Sequence, residues 1–257
     1  MADNSMKYLL TGVLALTLFL CACKKENSRE SAPEAWLELH FSAEMNGSPL
    51  VLNQGYSNIF GENIQPTALK FYAGRFSLVP AGAPAADTID QYSLVDFSSP
   101  SSTLIRLPVT PGTYDRFSFQ LGVDSARNVS GTQTGALDPA LGMFWTWNSG
   151  YIFFKFEGKS PASVEPGGIF QYHIGGFRSP YSAIRSLNAE LPAADTWTLA
   201  DGQTLRLELG CQMDLFFNGN LGLRVADHPV SMTPGELSSA IADNYASCFT
   251  LTNYTVQ

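Results

Sequence analysis

Histidine is scarce in this chain of 257 residues, which holds only His40, His173 and His228. No H-E-x-x-H, no G-x-S-x-G and no glycine-rich phosphate loop at a strand-to-helix junction accompanies them. The signatures of zinc-protease, serine-hydrolase and nucleotide chemistry are therefore missing, and nothing in the sequence demands an enzyme. Basic residues are few: 15 Lys and Arg face 23 Asp and Glu, a net charge of −8. Such a surface repels phosphates, which argues against nucleic acid as a partner. Helical periodicity is nearly absent. The apolar run from Tyr8 to Leu20 falls short of the about 20 residues that span a bilayer.

That run has a different shape, that of a secretory signal. Lys7 forms a short basic region ahead of it, and Met6 is the expected start, because Asp3 puts an acidic residue before the signal. The run ends Leu20-Cys21-Ala22-Cys23, which resembles a bacterial lipobox with Cys23 as the lipidated residue, since Ala22 is small where Leu20 is not. The expectation is a signal peptide over residues 1–22 and a lipoprotein of the cell envelope, held at the outer membrane and facing the periplasm or the surface. Residues 23–35, the lipidated cysteine and "KKENSRESAPEA", are charged and poor in apolar side chains, so they read as a flexible tether. Residues 36–257 then form a single domain. Of the four cysteines, only Cys211 and Cys248 remain as thiols after processing. Two cysteines make no framework; they are open to pairing as a disulfide or to acting as soft ligands.

From Trp36 onward the dominant signal is alternation with period two. "WLELHFS" sets Leu37, Leu39 and Phe41 on one face against Trp36, Glu38 and His40. Further strands are expected at "ALKFYAGRFSLV", "YSLVDF", "YIFFKFEG", "GIFQYHIGGF" and "TLRLELG", with a short one at "MDLFF". "TLIRLPVTPGTYDRFSFQLGVD" reads as strand, Pro-Gly turn, strand. Short strands with frequent Gly and Pro turns indicate an all-β fold, an antiparallel sandwich or barrel-like domain. One short helix is expected near the C-terminus. There Thr233 stands as N-cap, Pro234 at the first position and Glu236 closes a capping box; Leu237, Ile241, Tyr245 and Cys248 share one stripe.

Two features carry candidate chemistry. In "QYHIGGF", Phe170, Tyr172 and Ile174 share one strand face while Ile169, Gln171 and His173 share the other, and the following glycines leave room beside an imidazole. In "MFWTWNSGYIFFKFEG", Trp145 and Trp147 fall on one face of a strand, either as core or as a surface on which a ligand stacks. His40 lies beside Glu38, and His228 precedes Pro229 in a loop. Converging imidazoles would suit copper, but spacing alone does not bring them together. The connection at residues 125–142 is polar and long, as functional loops tend to be. Asp124 and Asp138 match no calcium loop.

The stretch "LGVDSARNVSGTQTGALDPALGMFWTWNSGYIFFKFEG", followed by "FQYHIGGF", Asp214 in "MDLFF" and "IADNYASCF", resembles the MbnP-like family of bacterial copper-binding proteins. The resemblance implies a secreted or lipid-anchored, non-enzymatic β domain. It implies copper held by histidines and by a tryptophan oxidised to kynurenine, the oxidation being done by a di-haem cytochrome c peroxidase-like partner. Carried over by residue, His173 is the first expected ligand, Trp145 or Trp147 the modified or neighbouring group, and His40 and His228 possible helpers. Tyr151 matches a packing tyrosine. The chain departs from the family in ending "FTLTNYTVQ" without histidine, and in "LELGCQM", where relatives tend to have one; Cys211 there offers a thiolate, and Met213 and Met143 offer thioethers. The competing expectation, of a different class, is a surface sandwich that binds glycan or peptide on Trp145 and Trp147.

Overall fold

In the computed structural model the described residues are 34–146, 148–190 and 195–257, with Glu190 described by its backbone alone. The signal, Cys23, most of the tether and Trp147 lie outside them. The alternation at the start of the domain produces β1 (Ala35–Met45), in which Leu37, Leu39 and Phe41 are buried and Glu38 and His40 point outward. Then come β2 (Ser48–Pro49), β3 (Tyr56–Ser57), β4 (Asn63–Pro80), β5 (Ile89–Asp96), β6 (Leu104–Val109) and β7 (Gly112–Leu121). Helix α1 (Ser125–Val129) opens the long connection to β8 (Phe144–Thr146), which is followed by β9 (Gly150–Lys159) and β10 (Ile169–Gly175). The chain continues through β11 (Arg185–Glu190), β12 (Trp197–Leu199), β13 (Thr204–Gln212) and α2 (Met213–Phe217). It finishes with β14 (Val230–Ser231), α3 (Glu236–Ser247) and β15 (Phe249–Val256).

These strands build two facing sheets, an all-β sandwich with few helices. One runs β15-β13-β1-β2, with β6 also on β1. The other runs β11-β7-β4-β9-β10-β14, with β3 and β5 on β4, β8 on β9 and β12 on β7. Most ladders are antiparallel, but β1 pairs β13 in parallel, as β10 pairs β14. Parallel neighbours need long crossovers, and the chain supplies them by returning to β1 only after the second sheet is built. Phe41 of β1 meets Phe71 of β4 at 5.3 Å and Phe119 of β7 at 5.8 Å, both edge-on, so the core is an aromatic seam between the sheets. Among the described residues no helix is long and apolar enough to cross a membrane.

One local expectation holds with an added detail, and two turned out differently. The Pro111-Gly112 turn joins β6 to β7, yet these two strands do not pair: β6 lies on β1 and β7 on β4, in opposite sheets. The turn is a corner between layers, tied by the Tyr114 hydroxyl, which donates to the Thr110 carbonyl. "MDLFF" is the helix α2 rather than a strand. Phe216 and Phe217, adjacent in sequence, are both fully buried, and a helical turn allows that where period two forbids it. Helix α3 starts at Glu236, with Gly235 as a cap that makes no side-chain bond. Residues ahead of it are used in packing: Pro234 rests on Gly176, where an added Cβ would come within 3.1 Å of the proline ring. The expected stripe holds, with Ile241, Tyr245 and Cys248 all fully buried.

Candidate functional site

The ten-stranded sheet has a polar patch on its outer face, and β10 carries its centre. Alternation there buries Phe170, Tyr172 and Ile174 inward, which turns His173 outward. On the neighbouring β9, Phe154 and Phe156 face the core, so Lys155 and Glu157 share the outer face with His173. The His173 Nε2 and Glu157 Oε1 lie 2.5 Å apart, with side-chain exposures of only 9% and 27%. The hydrogen bond from His173 holds the Glu157 carboxyl below the usual carboxylate range, against the effect of its burial. Lys155, opposite His173 in register, donates to the Gly142 carbonyl at 2.7 Å. Burial pushes its ammonium down, Glu157 opposes that, and Lys70 adds to it.

The second nitrogen of the imidazole is the chemically open one. His173 Nδ1 is buried and finds no hydrogen-bond partner in the protein. A neutral histidine that gives its Nε2–H to a carboxylate carries its lone pair on Nδ1, which is how metal-ligating imidazoles are usually oriented. Trp145 lies close by. Its indole Nε1 is also buried and unpartnered, and its six-membered ring packs on Gly175, two positions beyond His173. A Cβ at Gly175 would come within 2.8 Å of Trp145 Cζ3 and 2.4 Å of the Tyr151 carbonyl, so only glycine admits the indole.

The long connection at residues 125–142 is tied to β9 beside this indole. Asp124 caps α1 through the Arg127 amide at 2.9 Å and also accepts from the Tyr92 hydroxyl. Asp138 caps a short turn through Ala140 at 2.9 Å, so both carboxylates are taken up in structure. Asn128 donates to the carbonyls of Val123 and Asp124 and accepts from the Tyr151 amide at 2.9 Å. Tyr151 donates to the Leu137 carbonyl at 2.7 Å, the packing role expected of it. The loop is thereby fastened to β9 at Tyr151 and leads into β8, which carries Trp145.

The other histidines do not join His173. His40 is on the outer face of the opposite sheet, 3.6 Å from Glu38, whose carboxylate is also engaged by Arg206 at 3.0 Å. His228 precedes β14 by two residues, level with the start of β10, and its carbonyl accepts from Tyr172 at 2.8 Å. Cys211 and Cys248 are free, buried thiols inside the sandwich. Among the described residues no three His, Cys, Asp or Glu converge as metal ligands. The patch thus fits a first ligand for copper, one oriented imidazole nitrogen with an indole beside it, and further donors must come from elsewhere. Glu157 escaped the sequence reading, and Gly175, expected to leave room beside the imidazole, instead admits the Trp145 ring. Glu157 was visible as a carboxylate on an otherwise aromatic strand, two residues from Lys155, but its pairing with His173 depended on the register of β9 against β10.

A groove of about 830 Å³ is lined by Asn46, Tyr56, Asn63, Gln65 and Lys159, with no histidine, cysteine or carboxylate among its lining residues. A smaller one of about 210 Å³ lies next to Gly176, between Asn148, Phe177, Arg178, Tyr181 and Pro234.

Fold and patch together define a two-sheet β domain that displays a carboxylate-oriented histidine near a tryptophan packed on Gly175. Residues 34–233 match the family model for MbnP, and the chain belongs to that family. It is similar in fold to MbnP from Methylosinus trichosporium, with a TM-score of 0.50 at 14% identity, over 88% of this chain and 99% of that one. Comparison with curated proteins gives no match.

Proposed function

We propose that this MbnP-family protein is a non-enzymatic copper-binding lipoprotein of the cell envelope, tethered through Cys23. His173 supplies the first ligand through Nδ1, and Glu157 fixes the ring. The observation that carries this reading is a pair of buried, unpartnered nitrogens, His173 Nδ1 on β10 and Nε1 of Trp145, whose ring packs on β10 at Gly175. A buried polar atom without a partner is costly, so its persistence favours a role outside the fold.

One imidazole is too little for copper, and in our reading Trp145, whose ring packs on Gly175, adds to it. A di-haem peroxidase-like partner using two peroxides would insert two oxygen atoms across the indole C2–C3 bond and release two waters. Water would then remove the formyl group as formate, leaving an aniline nitrogen and a ketone. Both are potential donors, which neutral indole is not. Trp145 is half-buried at the surface, where a partner can reach it. Copper, once bound, would supply the redox or storage chemistry; the chain's own part is to present the imidazole, hold the aromatic group and exclude water.

The test is copper retained after Cu(I) loading and desalting, in the wild type and in His173→Ala, before and after oxidation of Trp145. Retention that depends on His173 while the thermal melt is unchanged supports the reading. Equal retention in both proteins removes His173 from the site.

A further inference from the structure

A second group of donors lies inside the sandwich, away from the patch. β13 carries Leu205, Leu207, Leu209 and Cys211 on its inward face, and the chain passes from it directly into α2 at Met213. On the other side, α3 passes directly into β15 at Cys248. The two junctions meet: the Gln212 amide donates to the Cys248 carbonyl at 2.9 Å, and Cys211 pairs with Phe249 in register. Three sulfurs are thereby collected in one place. Cys211 Sγ donates to Met213 Sδ at 3.6 Å; the Cys248 thiol donates to the Asn244 carbonyl at 3.4 Å, with Cys211 near enough to help burial hold it protonated. All three residues have zero exposure.

We propose that Cys211, Met213 and Cys248 form a second, all-sulfur site that takes one soft monovalent metal ion of the Cu(I) class. The Cys211–Met213 spacing of 3.6 Å suits it, since a metal–sulfur bond of about 2.3 Å puts trigonal sulfurs about 4 Å apart. Two thiolates and a thioether are the donors such an ion prefers. A disulfide would use two of the sulfurs and leave the third idle. It would also require the pair to close to about 2.05 Å. Binding is an exchange of thiol protons for the metal, with no change of oxidation state. Burial pushes the Cys248 thiol up, so without metal the group stays protonated and unreactive. The site is dry and closed, so it fills as the chain folds or when the α3–β15 junction opens. It is independent of the copper reading at His173, which lies on the outside of the other sheet.

The experiment is an anaerobic Cu(I) titration of the reduced protein against a chromophoric chelator, done in a His173→Ala background so that the outer patch cannot contribute. Protein refolded with Cu(I) present is measured alongside. One retained equivalent with sulfur-to-copper absorption is expected. Adding Cys248→Ser should weaken binding by more than about 100-fold, the most that loss of a supporting partner alone usually causes. Met213→Leu, which conserves volume, should weaken it less and keep the fold, so it serves if the cysteine variant fails to fold. No retained equivalent in the His173→Ala protein by either route, or binding that Met213→Leu and Cys248→Ser leave unchanged, overturns the proposal. So does a thiol count showing Cys211 and Cys248 joined after reduction.

Discussion

Gly175→Ala tests whether the indole and the histidine strand are built as one unit. The added methyl would lie 2.4 Å from the Tyr151 carbonyl and 2.8 Å from Trp145 Cζ3. The carbonyl belongs to the β9 backbone and cannot step aside cheaply, so the indole must lift and the β9–β10 ladder must open. Overpacking of this kind costs about 1–3 kcal/mol. In a domain of this size each kcal/mol lowers Tm by about 2–4 °C, so a drop of about 2–12 °C is expected. Gly55→Ala is the control, because nothing lies within 4 Å of its Cβ position and its φ is not positive. That change should stay within about 0.5 kcal/mol. Urea unfolding measures both. Tryptophan emission should change in Gly175→Ala, and the change should vanish when Trp145 is first replaced by Phe. A Gly175→Ala protein as stable as the control, with unaltered emission, would refute the packing argument.

Other consequences follow from the same contacts. Glu157 has its carboxyl lowered by His173. A depressed acid stabilises the fold fully above its unfolded value of about 4.3 and loses that contribution as pH falls through the folded value. Between pH 7 and pH 4 the urea midpoint of Glu157→Gln should therefore fall less than that of the wild type; an identical fall would show that the bond adds nothing. Part of the fall will remain, because Glu38, Glu62, Asp96 and Asp124 are lowered as well. Asn128→Ala should cost about 2–4 kcal/mol, since it strands the Tyr151 amide and the Val123 carbonyl in a buried place, while the Asp124 carbonyl keeps the backbone amide of residue 128. Limited proteolysis should then cut the 125–142 connection faster, and an unchanged rate would mean the loop is held by other contacts.

Strand positions were legible in the sequence because burial on one face writes period two directly, as in Leu37, Leu39 and Phe41 or Phe117 and Phe119. Pairing was less so. A Pro-Gly turn looks the same whether it closes a hairpin or turns a corner, and only the partners of β6 and β7 distinguish the two. "MDLFF" misled because its apolar run fits a strand or a buried helical turn equally well. The outward placement of His173 followed from alternation. Its carboxylate partner did not, because register across β9 and β10 is a long-range fact. Helix stripe and buried Cys248 were readable together; the meeting of Cys248 with Cys211 and Met213 depends on two chain junctions that no local pattern records.

Copper-edge anomalous diffraction from crystals of the copper-loaded protein, with Trp145 oxidised, tests the account most directly. A peak at bonding distance from His173 Nδ1, beside the modified Trp145 and with Glu157 still on Nε2, is the result expected. Density for copper only at the sulfur cluster, or anywhere that leaves His173 Nδ1 bare, would contradict the assignment of this patch as the protein's copper site.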